Sequence, residues 1–134
     1  LHQAAGSRVV HELHGTVHRN RCLSCGSVYN LDYVLAAQGA PHCACGGMLR
    51  PDIVFYGEPL GSDVMDAAIR AVMKCDLLIV GGTSLSVYPA AGLLGYRREA
   101  RLALINLTET PFDQRADLVV RQSTAAALGS AVPA

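Results

Sequence analysis

The chain has 134 residues, of which 51% are apolar, with eleven basic and eleven acidic side chains and a formal net charge of zero. That length sets one domain, or one domain with a small insert, and the apolar share is enough for a core. Balanced charge without a basic run argues against nucleic acid or an anionic membrane as the main partner, and the longest apolar stretch falls far short of the roughly 20 residues that span a bilayer.

Residues 1–8 are polar and glycine-containing and do not read as a signal peptide. Five cysteines without a secretory context suit a reducing compartment, so a cytoplasmic protein is expected. The chain opens on Leu1 and closes in an alanine-rich stretch over 124–134, which leads us to expect a piece of a longer protein. Residues 9–13, Val-Val-His-Glu-Leu, read as a strand feeding the His14-Gly15 loop. Residues 16–50 form an insert, with a short helix over 31–37. Residues 50–58 are extended, because Pro51 forbids a helix interior and β-branched and aromatic residues follow it. Ser62 or Asp63 caps a helix running to about Lys74, with Val64, Met65, Ala68, Ile69 and Val72 on one face.

The continuous apolar run in 76–81 predicts a parallel strand buried on both faces, closed by a Gly81-Gly82 turn. Pro89 starts a helix to about Ala100. Residues 102–106 form a second such strand, and Thr110-Pro111 opens a helix to about Arg115. Residues 117–120 are a third strand, and 124–128 a closing helix. Strands alternating with helices predict an α/β fold with a parallel sheet.

Within the insert the chain reads Cys-Leu-Ser-Cys, then seventeen residues, then Cys-Ala-Cys-Gly-Gly. Cys22, Cys25, Cys43 and Cys45 are two close thiol pairs at the separation a tetrahedral zinc site needs, although the second pair is one residue shorter than usual. Gly26, Gly46 and Gly47 suit the positive φ of such turns. Two disulfides or four unrelated thiols are the alternative. His18 and His42 lie nearby but are not needed as ligands. Four thiolates leave zinc no open position, so the metal builds structure and the chemistry lies elsewhere.

In parallel sheets ligands bind beyond the carboxyl ends of the strands. Gly81 and Gly82 let backbone amides approach a ligand, the Thr83 and Ser84 hydroxyls donate to phosphate or ribose, and Asn106 ends the next strand where a ribose-reading residue sits. Gly-Gly-Thr-Ser is equally a plain tight turn before a capped helix. His14, ending a strand before a glycine, takes a proton from a hydroxyl near neutral pH, or is an ordinary loop histidine. Residues 54–58 offer either core side chains or an edge to which an extended peptide adds as a strand. Cys75 is read as a small buried apolar residue.

His-Gly, Cys-x-x-Cys, the second cysteine pair, Arg-Pro-Asp-Ile-Val-Phe-Tyr-Gly-Glu, Gly-Thr-Ser-Leu and Ile-Asn-Leu occur in one order, and in that order the chain resembles a sirtuin of bacterial type. The resemblance runs from Leu1 to about Val120. It implies the carboxyl-terminal part of a Rossmann-like sheet, residues 1–15 and 51–134, with a zinc-binding small domain over 16–50. It also implies an NAD-dependent protein lysine deacylase, which moves the acyl group from lysine to ADP-ribose and releases nicotinamide. His14 matches the general base and the four cysteines the structural zinc ligands. Gly82, Thr83 and Ser84 match the loop at the NAD ribose and phosphates, Asn106 and Leu107 the adenosine contacts, and Gln122 the adenine-side loop. Val54, Phe55, Tyr56, Gly57 and Glu58, with Ser86 and Val87, match the two edges between which the acyl-lysine peptide lies. The family's Gly-Ala-Gly-x-Ser loop and Gln-Asn-Ile-Asp segment are not in the sequence, so the amino-terminal half of the domain is expected elsewhere, and little activity from these residues alone. Two other readings share the motifs: a zinc-stabilised module that binds peptide or nucleotide without turnover, and a protein ADP-ribosyltransferase.

Overall fold

The computed structural model describes residues 1–131. Its chain divides into two compact units, Leu1–Val64 and Met65–Ala134, and the last three residues of the expected 51–134 portion lie outside the described residues.

In the first unit β1 (Gly15–Cys22) is the centre of a three-stranded antiparallel sheet, flanked by β2 (Val28–Asn30) and β3 (Leu49–Ile53). The helix expected over 31–37 is a shorter α1 (Leu31–Leu35), started by Asn30, whose side chain accepts the Tyr33 amide at 3.0 Å. Between Thr16 and Asn20 the pairing of β1 with β3 shifts register. Asn20 is only 2% exposed there, and its amide donates to the Val17 carbonyl at 3.0 Å, so the bulge leaves no polar group orphaned. The small core holds Cys22, Cys43 and Leu49, with Tyr29 and Val34 against it.

The strand expected over 9–13 does not form; those residues are irregular, and regular pairing begins at Gly15. A strand needs a ladder partner, and no described segment pairs with 9–13, whatever its side-chain preference. Residues beyond β3 leave the sheet at Val54 and turn at Tyr56-Gly57.

α2 (Ser62–Lys74) follows the expected bounds, with Ala68 buried and the expected apolar positions around it half-buried. It is charged in the favourable sense, Asp63 in its first turn and Lys74 in its last. In the second unit β4 (Leu77–Gly81), β5 (Arg101–Ile105) and β6 (Leu118–Val120) form a parallel sheet in that order. Burial on both faces holds for the central β5 only. On one face Leu102 and Leu104 are 2% and 1% exposed and on the other Ala103 and Ile105 are 9% and 5%, whereas β4 alternates, with Leu77 and Ile79 about half exposed. An edge strand packed on one face alternates, even when its sequence is apolar throughout. The core gathers Leu85, Leu94, Leu102 and Leu104, with Leu78, Val80, Phe112 and Ala116 packed on it.

The helix expected from Pro89 to about Ala100 is a 3₁₀ helix over Ala90–Tyr96, and the one expected from Thr110 shrinks to a 3₁₀ turn over Asp113–Arg115. Gly92 and Gly95 weaken the first, and three residues are too few for an α-turn to propagate in the second. The last helix runs longer than expected, as α3 (Thr124–Ala131), capped by Ser123 through the Ala126 amide at 3.2 Å.

Candidate functional site

The four sulfurs of Cys22, Cys25, Cys43 and Cys45 lie within 4.8 Å of one another. Cys22 stands 3.6 Å from Cys45, and Cys25 stands 3.5 Å from Cys43. Disulfide sulfurs would be about 2.05 Å apart. Tetrahedral zinc with bonds of about 2.3 Å puts its sulfurs ~3.8 Å apart, so the cluster fits a structural zinc site. Each knuckle aims an amide back at its first sulfur: Ser24 at Cys22, 3.4 Å, and Cys45 at Cys43, 3.5 Å. Sulfurs this close cannot all carry charge by themselves. Hydrogen bonds from Ser27 draw Cys25 down to about 6. Cys45 goes up to about 12, since its neighbouring sulfurs outweigh the pull of the Gly47 amide. A divalent cation lets all four ionise together. Gly26 and Gly46 take the expected positive φ, but Gly47 does not; it is glycine because a Cβ there would stand 2.6 Å from the Cys22 sulfur. His42 turns its ring nitrogen to the Ala40 carbonyl, 2.8 Å, and takes no place in the cluster.

His14 lies exposed in the turn before β1. Two backbone features hold it. Its carbonyl accepts the Val54 amide at 3.0 Å, and Gly15 crosses Asp52 at φ +75°, so tightly that a Cβ would sit 1.9 Å from the Asp52 carbonyl oxygen. The base expected from the sequence is thereby tied to the first residue of the 54–58 segment. In that segment Phe55 is half exposed and Tyr56 fully so. Glu58 folds back to take the Arg50 guanidinium at 2.7 and 2.5 Å and the Phe55 amide at 3.0 Å. Arg50 also covers the Phe55 ring at 4.8 Å and holds the Glu58 carboxyl below the usual carboxylate range.

In the second unit the register sets Gly81, Ile105 and Val120 in one row across the parallel sheet. The residues that follow them, Gly82-Thr83-Ser84, Asn106-Leu107 and Arg121-Gln122, therefore leave three adjacent strands at the same carboxyl-terminal rim. Gly82 has φ +66°. Thr83 Oγ1 accepts the Leu85 amide at 3.2 Å, which leaves its proton to donate, and the Ser84 and Ser86 hydroxyls meet at 2.6 Å. Thr83, Ser84, Leu107 and Gln122 are exposed, as are Ser86 and Val87 further along the loop. Exposed hydroxyls and a glycine amide at the strand ends suit a dinucleotide's ribose and phosphates.

Sequence reasoning missed what braces this rim. The Asn106 side chain donates to Thr108, 3.0 Å to its carbonyl, and Arg121 donates to the same carbonyl at 3.1 Å. Arg121 also pairs with Asp113, which takes the Thr110 hydroxyl at 2.7 Å. Thr110 and then Arg121 hold the Asp113 carboxyl below its ordinary value. From the sequence, Thr110-Pro111 is legible only as the start of a helix. Cys75, expected to be buried, is half-buried, and its thiol donates to the Val72 carbonyl at 3.2 Å.

The Sir2 family profile matches residues 1–89, two thirds of the sequence. The chain belongs to the Sir2 family. Among Sir2 relatives, the NAD-dependent protein deacetylase of Cutibacterium acnes is 56% identical over 120 residues, 90% of this chain and 49% of the relative. That of Clostridium perfringens is 49% identical over 98% of this chain and 55% of its own length. A solved Sir2 structure with a propionylated peptide superposes with a TM-score of 0.87 at 38% identity, covering 97% of this chain and 57% of the other. Another, with a p53 peptide and NAD⁺, gives 0.84 at 38% identity, covering 98% of this chain and 60% of the other. The chain thus spans about half the length of the Sir2 relatives it matches. No described helix is long and apolar enough to cross a membrane.

Proposed function

We propose that these residues serve an NAD-dependent protein lysine deacylase, in which the acyl group of a substrate lysine passes to ADP-ribose and nicotinamide leaves. NAD supplies the electrophilic ribose carbon to which the acyl oxygen attaches. His14 is the general base that takes the proton of a ribose hydroxyl, a task suited to an imidazole near neutral pH. Gly82, Thr83 and Ser84 hold ribose and phosphate, Asn106 and Leu107 the adenosine, and Gln122 the adenine side. Val54, Phe55, Tyr56, Gly57 and Glu58 offer one edge for the peptide, and Ser86 and Val87 another, each adding backbone hydrogen bonds to an extended acyl-lysine segment. Zinc on Cys22, Cys25, Cys43 and Cys45 is structural. We assign residues 1–15 and 51–134 to the NAD-binding portion, 16–50 to the zinc-binding domain, and the protein to the cytoplasm.

The observation that carries this reading is the rim, where three neighbouring parallel strands end in register at Gly81, Ile105 and Val120 and lead directly into Gly82, Asn106 and Arg121. The names of the relatives and the peptide and NAD⁺ in the similar structures support it. The test is His14→Ala in a protein of the relatives' full length carrying these residues. Acetyl-lysine turnover with NAD should fall at least a hundredfold, within the range a general base contributes, while peptide binding stays within twofold. Undiminished turnover rejects the base assignment. A product mass showing ADP-ribose on a protein side chain, in place of O-acyl-ADP-ribose, rejects deacylation.

A further inference from the structure

Cys43 is buried, 5% exposed as a residue, and a buried thiolate needs donors to offset its lost hydration. The Cys45 amide reaches its sulfur at 3.5 Å, an ordinary length for an amide on sulfur. The Tyr29 hydroxyl lies at 3.0 Å, closer than any other hydrogen-bond partner of a cluster sulfur among the described residues. That hydroxyl already accepts the Ala44 amide, at 3.3 Å. With its oxygen engaged as acceptor, its proton has the Cys43 sulfur as its target. Tyr29 lies in β2 and packs in the same core as Cys22 and Leu49, with its ring 4.4 Å from that of Tyr33. Tyr33 in turn donates to the His42 carbonyl at 3.0 Å. Two tyrosines, one in β2 and one in α1, thus hold residues 42–44, but only one of them touches sulfur.

We propose that Tyr29 is a positioning residue of the zinc cluster: its phenol donates to the Cys43 thiolate, fixes that sulfur's orientation and draws charge from it. Partners that hydrogen-bond a metal ligand commonly change metal affinity 10–100-fold. The role is confined to the cluster and stands whether or not the chain deacylates lysine.

Tyr29→Phe removes the hydroxyl and keeps the ring. Zinc should bind about tenfold more weakly by chelator competition. In the cobalt-substituted protein the sulfur-to-metal charge-transfer band should move to lower energy, because a thiolate relieved of a donor is the better electron source. Tyr33→Phe, which loses a bond to a carbonyl only, should leave the band where it is. Placing 3-fluorotyrosine at position 29, a stronger donor of the same shape, should move the band the other way, and it decides the matter if the phenylalanine variant fails to fold. Wild-type zinc release and an unmoved band in Tyr29→Phe overturn the proposal. So does an equal band shift in Tyr33→Phe, or an unmoved band with fluorotyrosine.

Discussion

Gly15→Ala is the substitution for which the structure gives the sharpest expectation. Gly15 has φ +75°, and a Cβ added there lies 1.9 Å from the Asp52 carbonyl oxygen, a backbone atom that cannot rotate away. A left-handed φ costs a non-glycine residue about 1–2 kcal/mol. Relieving the clash means opening the Gly15–Ile53 end of the β1–β3 ladder and the Val54-to-His14 hydrogen bond, about 1 kcal/mol each. Against this the alanine gains about 0.4–1 kcal/mol from a less flexible unfolded chain. The net expectation is ~2–4 kcal/mol of destabilisation. Gly39 supplies the control: it has φ +89° and a Cβ added to it would meet nothing within 4 Å, so Gly39→Ala should cost only the conformational part, about 1 kcal/mol. Urea unfolding followed by circular dichroism measures both. Equal losses in the two variants, or a Gly15→Ala midpoint matching wild type, would refute the steric argument and with it the account of what holds His14.

Zinc analysis should find one metal per chain, and chelation or Cys45→Ser should abolish the β-sheet signal of the first unit while β4–β6 persist, read by hydrogen exchange. Leu104, 1% exposed at the centre of the second core, should cost about 2–5 kcal/mol on truncation to alanine, measured by thermal denaturation. Acid should weaken the fold through three carboxyls held below their ordinary values: Asp117 mainly by the Leu102 amide and then Arg97, Asp113 by Thr110 and then Arg121, and Glu58 by Arg50. The folded state then binds fewer protons than the unfolded one, so their contribution is present above the ordinary carboxylate range and fades as pH drops through the lowered values. Asp117→Asn should flatten the acid limb of a stability-against-pH curve, and an unchanged slope counts against the Leu102 and Arg97 contacts.

What the sequence disclosed divides along a physical line. Local chemistry was readable: the paired cysteines, α2 from its apolar face, and three apolar runs that became β4, β5 and β6. Features that depend on what lies across from a residue were not. Residues 9–13 have strand-forming side chains but no partner ladder. The run in β4 looks the same as that in β5, yet only the central position buries both faces. The Ala90–Tyr96 stretch carries helix-starting chemistry at Pro89, which says nothing of how tightly the turn winds. At the rim, Gly82, Thr83, Ser84 and Asn106 announced themselves by type and spacing. Arg121 and Tyr29 act through atoms eight to fifteen residues away, which no local pattern encodes.

The two cysteine pairs have a consequence for the unfolded chain as well as the folded one. A metal joining Cys25 to Cys43 closes a loop whose span, 18 residues along the chain, corresponds to about 3 kcal/mol of closure entropy by the cross-link relation used for disulfides. A disulfide of that span is undone by reductants, whereas a thiolate–zinc clasp is indifferent to them and answers to the free metal concentration instead. Each tenfold change in free zinc above the dissociation constant then shifts the balance between closed and open loop by about 1.4 kcal/mol. The first unit is in this sense a tether whose tension is set by metal supply.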